Sequence, residues 1–142
     1  MKPKHTLSKN ERLKSYRRIR LLFAEGERFR QSPLMVYTLL APKELSSSGI
    51  VPPLQMGVSV GARYFKKAVQ RNLLKRRIRE AYRKQKHALE ELLRASPYRM
   101  DLFLVYAEKT ETDYATIYAA LTAAIEKLSN YLDKRKKDDQ HG

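Results

Sequence analysis

The sequence contains no cysteine, and no stretch in it approaches the ~20 consecutive apolar residues of a membrane-spanning helix. Without cysteine there can be neither a disulfide nor a thiolate metal site, which is compatible with a reducing cytoplasm. The basic N-terminus, from Met1 to His5, leads into no apolar signal core, so secretion is not expected. We therefore expect a cytoplasmic protein without a membrane partner.

Residue patterns of catalysis are also missing. The three histidines, His5, His87 and His141, cannot converge in the predicted architecture, and the metalloprotease pattern HExxH does not occur. The five glycines form no glycine-rich phosphate loop. The pair Glu90–Glu91 is interpreted as a solvated helix face, and Asp101, although it could bind a metal, is a lone carboxylate. If the chain takes part in a reaction, we expect another component to supply the chemistry.

Positive charge is what the sequence has in excess. Thirty Lys and Arg residues stand against fifteen Asp and Glu residues, for a net charge of +15, while 42% of the residues are apolar. That apolar content is ordinary for a folded domain, and 142 residues fit one domain, so a folded body carries the charge. The balance indicates nucleic acid or an anionic membrane surface as the partner, and we favour nucleic acid.

The run from Arg71 to Tyr82 is predicted to be a helix, because good helix formers fill it without Gly or Pro. At ~100° per residue, one face carries the apolar residues Leu74, Ile78, Ala81 and Tyr82. The neighbouring face carries the polar and basic residues Asn72, Lys75, Arg76, Arg79 and Arg83. Residues 63–86 contain eleven Lys or Arg and a single acid. This face is predicted to bind phosphates, with an affinity that falls steeply with salt, and the alternative is a solvated basic helix.

The rest of the chain is divided by the same patterns. Residues 1–14 are predicted to be a flexible basic arm, residues 15–133 a single domain, and residues 134–142 a disordered charged tail. Helices are predicted at Tyr16–Glu25, between Ser15 as N-cap and Gly26 as stop, at Lys67–Arg94, and after Asp113. Strands are predicted at Leu34–Leu40, Leu54–Gly61 and Met100–Tyr106, with a loop from Pro42 to Pro53.

This order of elements predicts an α+β fold, a two-layer sandwich in which helices pack on a small mixed sheet. The order is α-β-β-α-β-α, with an optional third strand before the long helix. Met100–Tyr106 is apolar almost throughout and is therefore predicted to be central in the sheet. The last helix is predicted to face the core with Ile117, Leu121, Ala124, Leu128 and Leu132.

A second set of candidate residues is apolar and aromatic. Ile19 and Phe23 lie one turn apart on the first helix, and Tyr37 lies on the first strand. If that helix packs beside the sheet, the three can line a groove with arginines at its rim, which suits the stacking of single-stranded bases. Ordinary core packing of Ile19 and Phe23 is equally compatible with the sequence. The pair Tyr64–Phe65 is likewise either a core anchor or a stacking platform.

Several of these residues follow a known pattern. The segment Gly57–Val60, a short basic link and the run from Ala68 to Tyr82, which reads AVQRNLLKRRIREAY, resemble the signature of the bacterial ribonuclease P protein subunit. Arg12–Lys14, Phe23–Gly26 and Pro33–Leu39 also follow the family pattern. The resemblance covers roughly residues 10–130.

The resemblance implies both a fold and a function. The family fold is an α+β sandwich with a left-handed crossover through the arginine-rich helix. The holoenzyme removes the 5′ leader of precursor tRNA, and its catalyst is an RNA subunit with Mg²⁺ held mainly by RNA. One protein monomer per RNA is expected, and the protein itself is expected to hold no metal. By resemblance the catalytic RNA is bound by Arg71, Asn72, Lys75, Arg76 and Arg79. By resemblance the leader is bound by Ile19, Phe23, Tyr37 and Arg63.

The sequence departs from the family pattern at four places. Leu73 stands where the motif has an arginine, and Arg77 is a candidate to compensate for it. Ile19 stands where an aromatic residue is frequent, and it stacks less well on a base. The link from Gly61 to Lys67 is one residue longer than usual, and the loop from Pro42 to Pro53 is extended. Two other functions fit the residues, a basic RNA-binding module of ribosomal or chaperone type and a DNA-binding protein.

Overall fold

A computed structural model of the chain describes residues 11–43, 45–46, 49–50 and 52–141. The helices are α1 (Tyr16–Glu25), α2 (Ala68–Gln85), α3 (His87–Arg94) and α4 (Tyr114–His141). The strands are β1 (Glu27–Gln31), β2 (Leu34–Pro42), β3 (Leu45–Ser46), β4 (Gly49–Ile50), β5 (Leu54–Val60) and β6 (Tyr98–Tyr106). The α+β fold is confirmed.

The main sheet has the strand order β1-β2-β6-β5. The pairs β1–β2 and β2–β6 are antiparallel, and β5–β6 is parallel, so the chain crosses over from β5 to β6 through α2 and α3. The prediction that the third apolar strand is central is confirmed, because β6 lies between β2 and β5. The left-handed sense of this crossover, which the resemblance implies, stays a prediction.

One face of the sheet forms the hydrophobic core. Side chains alternate along each strand, so Leu34 and Val36 of β2 share this face with Leu102 and Leu104 of β6, and all four are buried. The helices α2, α3 and α4 cover it. The predicted apolar stripe of the last helix is confirmed, since all five residues are buried: Ile117, Leu121, Ala124, Leu128 and Leu132.

Helix α1 packs on the opposite face, and its two ends have local causes. The Ser15 hydroxyl oxygen accepts a hydrogen bond from the Arg18 backbone N–H at 3.3 Å, which caps the first turn. Gly26 ends the helix as predicted, but in extended backbone (φ −75°, ψ 165°). A Cβ at Gly26 would lie 2.5 Å from the Leu22 carbonyl oxygen and 2.7 Å from that of Thr38. Close approach of two backbones therefore requires this glycine.

The predicted long helix from Lys67 to Arg94 is wrong in its continuity, because α2 ends at Gln85 and α3 begins at His87. The break is small. Lys86 keeps helical angles (φ −70°, ψ −19°), and its N–H still donates to the Tyr82 carbonyl at 2.9 Å. Its side chain is buried, where it forms ion pairs with Glu11 and Glu90.

Strand β1 has no counterpart in the prediction. Its sequence, ERFRQ, is charged and only Phe29 packs against the core, so no apolar alternation indicates a strand. It forms because an edge strand needs only one neighbour, and β2 supplies it. Within the segment predicted as a loop from Pro42 to Pro53, Pro42 belongs to β2, and β3 and β4 pair with each other.

Both predicted termini are more ordered than expected. Leu13 is buried, and its N–H donates to the Met56 carbonyl at 3.0 Å, so the flexible arm is wrong for residues 11–14, while residues 1–10 lie outside the described part of the chain. Helix α4 runs to His141, so the disordered tail from residue 134 is also wrong. No Gly or Pro interrupts the stretch, and Arg135 pairs with Asp139 one turn later at 3.8 Å.

Candidate nucleic-acid interface

The face of the sheet that carries α1 is only partly covered. Strand alternation and register bring Tyr37 of β2, Phe103 of β6 and Gly57 of β5 to this face, and all three are half-buried. A cleft of about 380 Å³ opens between α1 and the β5 edge. Because the resemblance implies that Ile19 contacts the 5′ leader, we call it the leader cleft after that expectation. Its lining consists of Arg12, Leu13, Lys14, Ile19, Met56, Gly57, Val58, Arg79 and Phe103.

Three aromatic rings form a continuous surface beside the leader cleft. The Phe23 ring centroid lies 4.5 Å from that of Tyr37 and 5.2 Å from that of Phe103. Phe23 is 43% exposed, so the interpretation of Phe23 as ordinary core is wrong. The predicted juxtaposition of Ile19, Phe23 and Tyr37 on one surface is confirmed, with Phe103 between them. Sequence reasoning missed Phe103 because it lies in a nearly continuous apolar run, which gives no sign that one face of the strand is open.

Gly57 makes room for the Phe103 ring. The two residues are register partners in the parallel ladder between β5 and β6. A Cβ at Gly57 would lie 2.5 Å from Cε2 and 2.7 Å from Cδ2 of that ring. The ring can therefore lie flat over the strand only because the residue beside it has no side chain.

A buried carboxylate fixes α1 to the sheet. Asp101 is 1% exposed, and it accepts hydrogen bonds from Arg18 Nε of α1 and from Arg99 Nη1, each at 3.1 Å to Oδ2. Its other oxygen pairs with Arg18 Nη2. Both oxygens of Asp101 are thus occupied by guanidinium groups. Since α1 carries Ile19 and Phe23, this anchor also positions the leader cleft.

The arm adds cations to the cleft. Arg12 forms an isolated bridge with Met56 on the open edge of β5, which brings Arg12 and Lys14 to the same cleft as Arg79 of α2. Burial, and then the positive charge of Arg12, lower the pKa of Arg79. The two guanidinium groups therefore lie close enough to repel each other, and a bound phosphate would relieve that repulsion.

Residues 11–14 are held in place by an ion pair between Glu11 and Lys86. Lys86 is 6% exposed and also pairs with Glu90 at 3.5 Å. Burial, and then the charges of Glu90 and Glu11, raise the pKa of Tyr82 well above its ordinary value, because both carboxylates lie near the buried ring. The contact between Glu11 and Lys86 joins residues 75 positions apart. It therefore fixes residues 11–14 along β5.

We expect strong coupling between Glu11 and Lys86 in a double-mutant cycle of urea unfolding. Glu11→Gln and Lys86→Gln should each destabilise the folded protein. The cycle should give a coupling free energy of about 1–3 kcal/mol, because the pair is largely buried. The same cycle on Glu91 and Arg94, an exposed pair at 2.6 Å, should give a value near zero. Equal coupling in the two cycles would contradict the role given to the buried pair.

The candidate RNA-contacting residues of α2 differ in exposure. Asn72 and Arg76 are exposed, and Lys75 and Arg79 are half-buried beside them. Arg71 is committed within the protein, since its Nη1 donates to the carbonyls of Phe65 and Lys66 at 2.8 and 2.9 Å. It therefore ties the start of α2 to the basic link as well as contributing charge.

The departure at Leu73 is not repaired by Arg77. Leu73 is half-buried on α2. The Nη1 group of Arg77 donates to Glu111 Oε1 at 2.7 Å and to the Thr112 carbonyl at 2.8 Å. Arg77 thus joins α2 to the segment before α4, and this geometry does not support it as the substitute for the missing arginine.

Arg63 lies beside the leader cleft and does not line it. It lines a neighbouring hollow of about 270 Å³ at the carboxyl ends of β5 and β6, next to Ser59 and Val105 on the same sheet face. Its guanidinium lies 5.3 Å from the centroid of the exposed Tyr64 ring. Phe65, in contrast, is buried, with its ring centroid 5.6 Å from that of Tyr106, so it is a core anchor.

A sheet face with clustered aromatic rings, cations along its rim and an arginine-rich helix beside it is typical of proteins that bind single-stranded RNA. No three His, Asp or Glu side chains in the described ranges are grouped so that they could hold a metal ion. None of the described helices is long and apolar enough to cross a membrane.

Comparison with known proteins identifies the family. The family model described as ribonuclease P matches residues 7–129. The ribonuclease P protein component of Porphyromonas gingivalis strain W83 is 34% identical over 128 residues, which is 89% of each chain. That of Picosynechococcus sp. is 39% identical over 77 residues, covering 54% of this chain and 60% of the relative.

Solved structures agree with the fold. The RNase P protein of Staphylococcus aureus superposes with a TM-score of 0.59 at 19% identity, covering 83% of this chain and 94% of that one. The RNase P protein of Thermotoga maritima superposes with a TM-score of 0.60 at 24% identity, covering 82% of this chain and 96% of that one. The chain belongs to the ribonuclease P protein family. It is a subunit for the maturation of tRNA 5′ ends, and it works with an RNA subunit that supplies the catalysis.

Proposed function

We propose that one copy of the chain binds one catalytic RNA through α2 and holds the single-stranded 5′ leader of precursor tRNA in the leader cleft. In this assignment the catalytic RNA is contacted by Arg71, Asn72, Lys75, Arg76 and Arg79. The leader is contacted by Ile19, Phe23, Tyr37, Phe103 and, at the adjacent hollow, Arg63. The residues that carry these two roles occupy adjoining surfaces of one domain.

The observation that carries the proposal is the position of Arg79. It belongs to the basic face of α2, and it also lines the leader cleft with Ile19 and Phe103. A strand that leaves the catalytic RNA beside α2 can therefore enter the cleft past Arg79. Arg28, exposed on β1, is the register partner of Tyr37 and adds a cation at the far rim.

Catalytic Mg²⁺ is assigned in this proposal to the phosphates of the RNA subunit, and the protein acts on it indirectly. Cations that α2 places near the RNA core reduce phosphate repulsion, which lowers the concentration of Mg²⁺ that the RNA needs. The net charge of +15 also opposes self-association of the free protein, which favours a single copy per RNA. We assign the activity to the cytoplasm.

The proposal is tested by cleavage of precursor tRNA by the catalytic RNA at low Mg²⁺, with and without the protein. We expect the protein to increase the rate of leader removal strongly at low Mg²⁺ and weakly at high Mg²⁺. A preparation of equal charge, such as polylysine at matched cation concentration, should not reproduce the effect on leader-bearing substrate. Stimulation that does not depend on Mg²⁺ would count against this role for α2.

Arg76→Ala should weaken binding to the catalytic RNA and reduce its salt dependence. One lost phosphate contact lowers the magnitude of the slope of log affinity against log salt by ~0.7–0.9. Arg76 suits the test because its side chain is exposed, so truncation leaves the fold intact. Lys134→Ala, which removes an exposed cation from the far part of α4, is the control and should leave the slope unchanged. An unchanged slope for Arg76→Ala would rule out its phosphate contact.

A further inference from the structure

The outer side of α1 carries an exposed patch that neither the leader cleft nor α2 accounts for. Tyr16, the first residue of the helix, is 74% exposed, and Leu21 is 41% exposed. They lie on one side of the helix over a shallow depression of about 440 Å³. We call this patch the outer stripe, and it consists of Tyr16, Arg17, Arg20, Leu21 and Ala24.

The chemistry of the outer stripe is that of a surface for nucleic acid. Arg20 lies 5.7 Å from the centroid of the Tyr16 ring. Neither Arg17 nor Arg20 forms an ion pair with any carboxylate in the described part of the chain, whereas Arg18, on the inner side, is bound to Asp101. An exposed ring beside two unpaired guanidinium groups offers a stacking platform with phosphate contacts. The stripe contains no acid.

The outer stripe is continuous with the leader cleft. At ~100° per residue, Phe23 lies between Ile19 on the inner side and Arg20 on the outer side, and Tyr16 lies one turn before both Ile19 and Arg20. Phe23 packs on Tyr37 and remains partly exposed, so its ring belongs to both surfaces. A strand that leaves the cleft past Phe23 therefore meets Arg20 and Tyr16 next.

The occupant that fits this surface is single-stranded RNA. A second copy of the chain does not fit, because two stripes would place four unpaired arginines together on molecules of charge +15 each. In the proposed function, the scissile end of the leader lies at the catalytic RNA, on the α2 side of the cleft. Nucleotides that pass beyond the cleft are therefore those farther toward the 5′ end.

We propose that the outer stripe is a second leader-binding surface, which takes the nucleotides 5′ of those in the leader cleft. The inference rests on the proposed function, in that it takes the leader to occupy the cleft. It predicts that long leaders are bound more tightly than short ones, and that the gain depends on Tyr16, Arg17 and Arg20.

The test measures the affinity of the reconstituted holoenzyme for two precursor tRNAs that differ only in leader length. One leader has ~5 nucleotides, enough for the cleft, and the other has ~12, within the site sizes of single-strand-binding proteins. Tyr16→Ala should lower affinity about tenfold for the long leader, the loss of roughly one stacked base, and leave the short leader unchanged. Tyr16→Phe, which keeps the ring, should restore the affinity.

Two further variants make the outcome decisive. Tyr118→Ala, which removes another exposed tyrosine from α4, should change neither affinity. Tyr37→Ala should lower the affinity for both leaders. If Tyr37→Ala has no effect, the leader cleft is wrong, whereas a normal Tyr37→Ala result with no effect of Tyr16→Ala on the long leader overturns the stripe alone. Equal losses for the two leaders with Tyr16→Ala, a loss also for mature tRNA, or no loss at all would overturn the proposal. Unchanged cleavage of the short-leader substrate shows that the variant is folded.

Discussion

Asp101→Asn is expected to destabilise the protein by about 3–5 kcal/mol, which corresponds to a loss in melting temperature on the order of 10 °C. The substitution keeps the shape of the side chain and removes its charge. Arg18 and Arg99 would then face each other across a neutral amide, in a place where neither can be well solvated. The cost arises from two cations that lose their shared carboxylate more than from any lost hydrogen bond. Urea or thermal unfolding measures it directly.

A matched control separates burial from the loss of a carboxylate as such. Glu91→Gln makes the same chemical change in an exposed ion pair, with Arg94 at 2.6 Å, and should cost far less. If the two substitutions were equally mild, the anchor between α1 and the sheet would be wrong. In Asp101→Asn that still folds, leader binding should also weaken, since Arg18 no longer holds the helix that carries Ile19 and Phe23.

Gly57→Ala is expected to disturb both the leader cleft and the stability of the fold. The new Cβ would lie 2.5 Å from the Phe103 ring, so the ring must move away from the strand toward Phe23. Overpacking of this kind costs about 1–3 kcal/mol of stability. Loss of the aligned rings should lower the affinity for leader-bearing tRNA by a further ~1–3 kcal/mol. The affinity for mature tRNA should hardly change.

Gly61→Ala provides the control, because a Cβ at Gly61 would meet nothing within 4 Å. It adds the same methyl group near the end of the same strand, and we expect both stability and leader affinity to stay near those of the wild type. If Gly57→Ala bound leader-bearing tRNA as tightly as Gly61→Ala does, the Phe103 ring would not be part of the leader-binding surface.

Local patterns in the sequence predict most of the fold. Apolar periodicity locates the core faces of α2 and α4, a nearly continuous apolar run locates the central strand β6, and Ser15 and Gly26 locate the ends of α1. Strand β1 is not predicted, because its stability comes from pairing with β2 and the sequence of a charged edge strand shows no apolar alternation. The helix break at Lys86 is not predicted for a similar reason. The partner of its buried side chain is Glu11, which lies 75 residues earlier in the chain.

The site is predicted less completely than the fold. The basic face of α2 is visible in the sequence because helical spacing alone creates it. Phe103 and Asp101 are not, since their roles depend on which strand lies beside β6 and on which helix crosses it. Alternation along β6 does place both on one face. This alternation identifies Phe103 and Asp101 as site residues only once one face of β6 is known to be open.

The central claim is that the open sheet face binds the leader, and Tyr37 tests it most directly. The measurement is the equilibrium affinity of holoenzymes containing wild-type protein, Tyr37→Ala or Tyr37→Phe, for leader-bearing and for mature tRNA at one salt concentration. We predict that Tyr37→Ala loses ~1–3 kcal/mol, about 5- to 150-fold, for leader-bearing tRNA only, and that Tyr37→Phe retains the affinity. Equal losses for the two RNAs would mean that the tyrosine only supports the fold, which would contradict the claim.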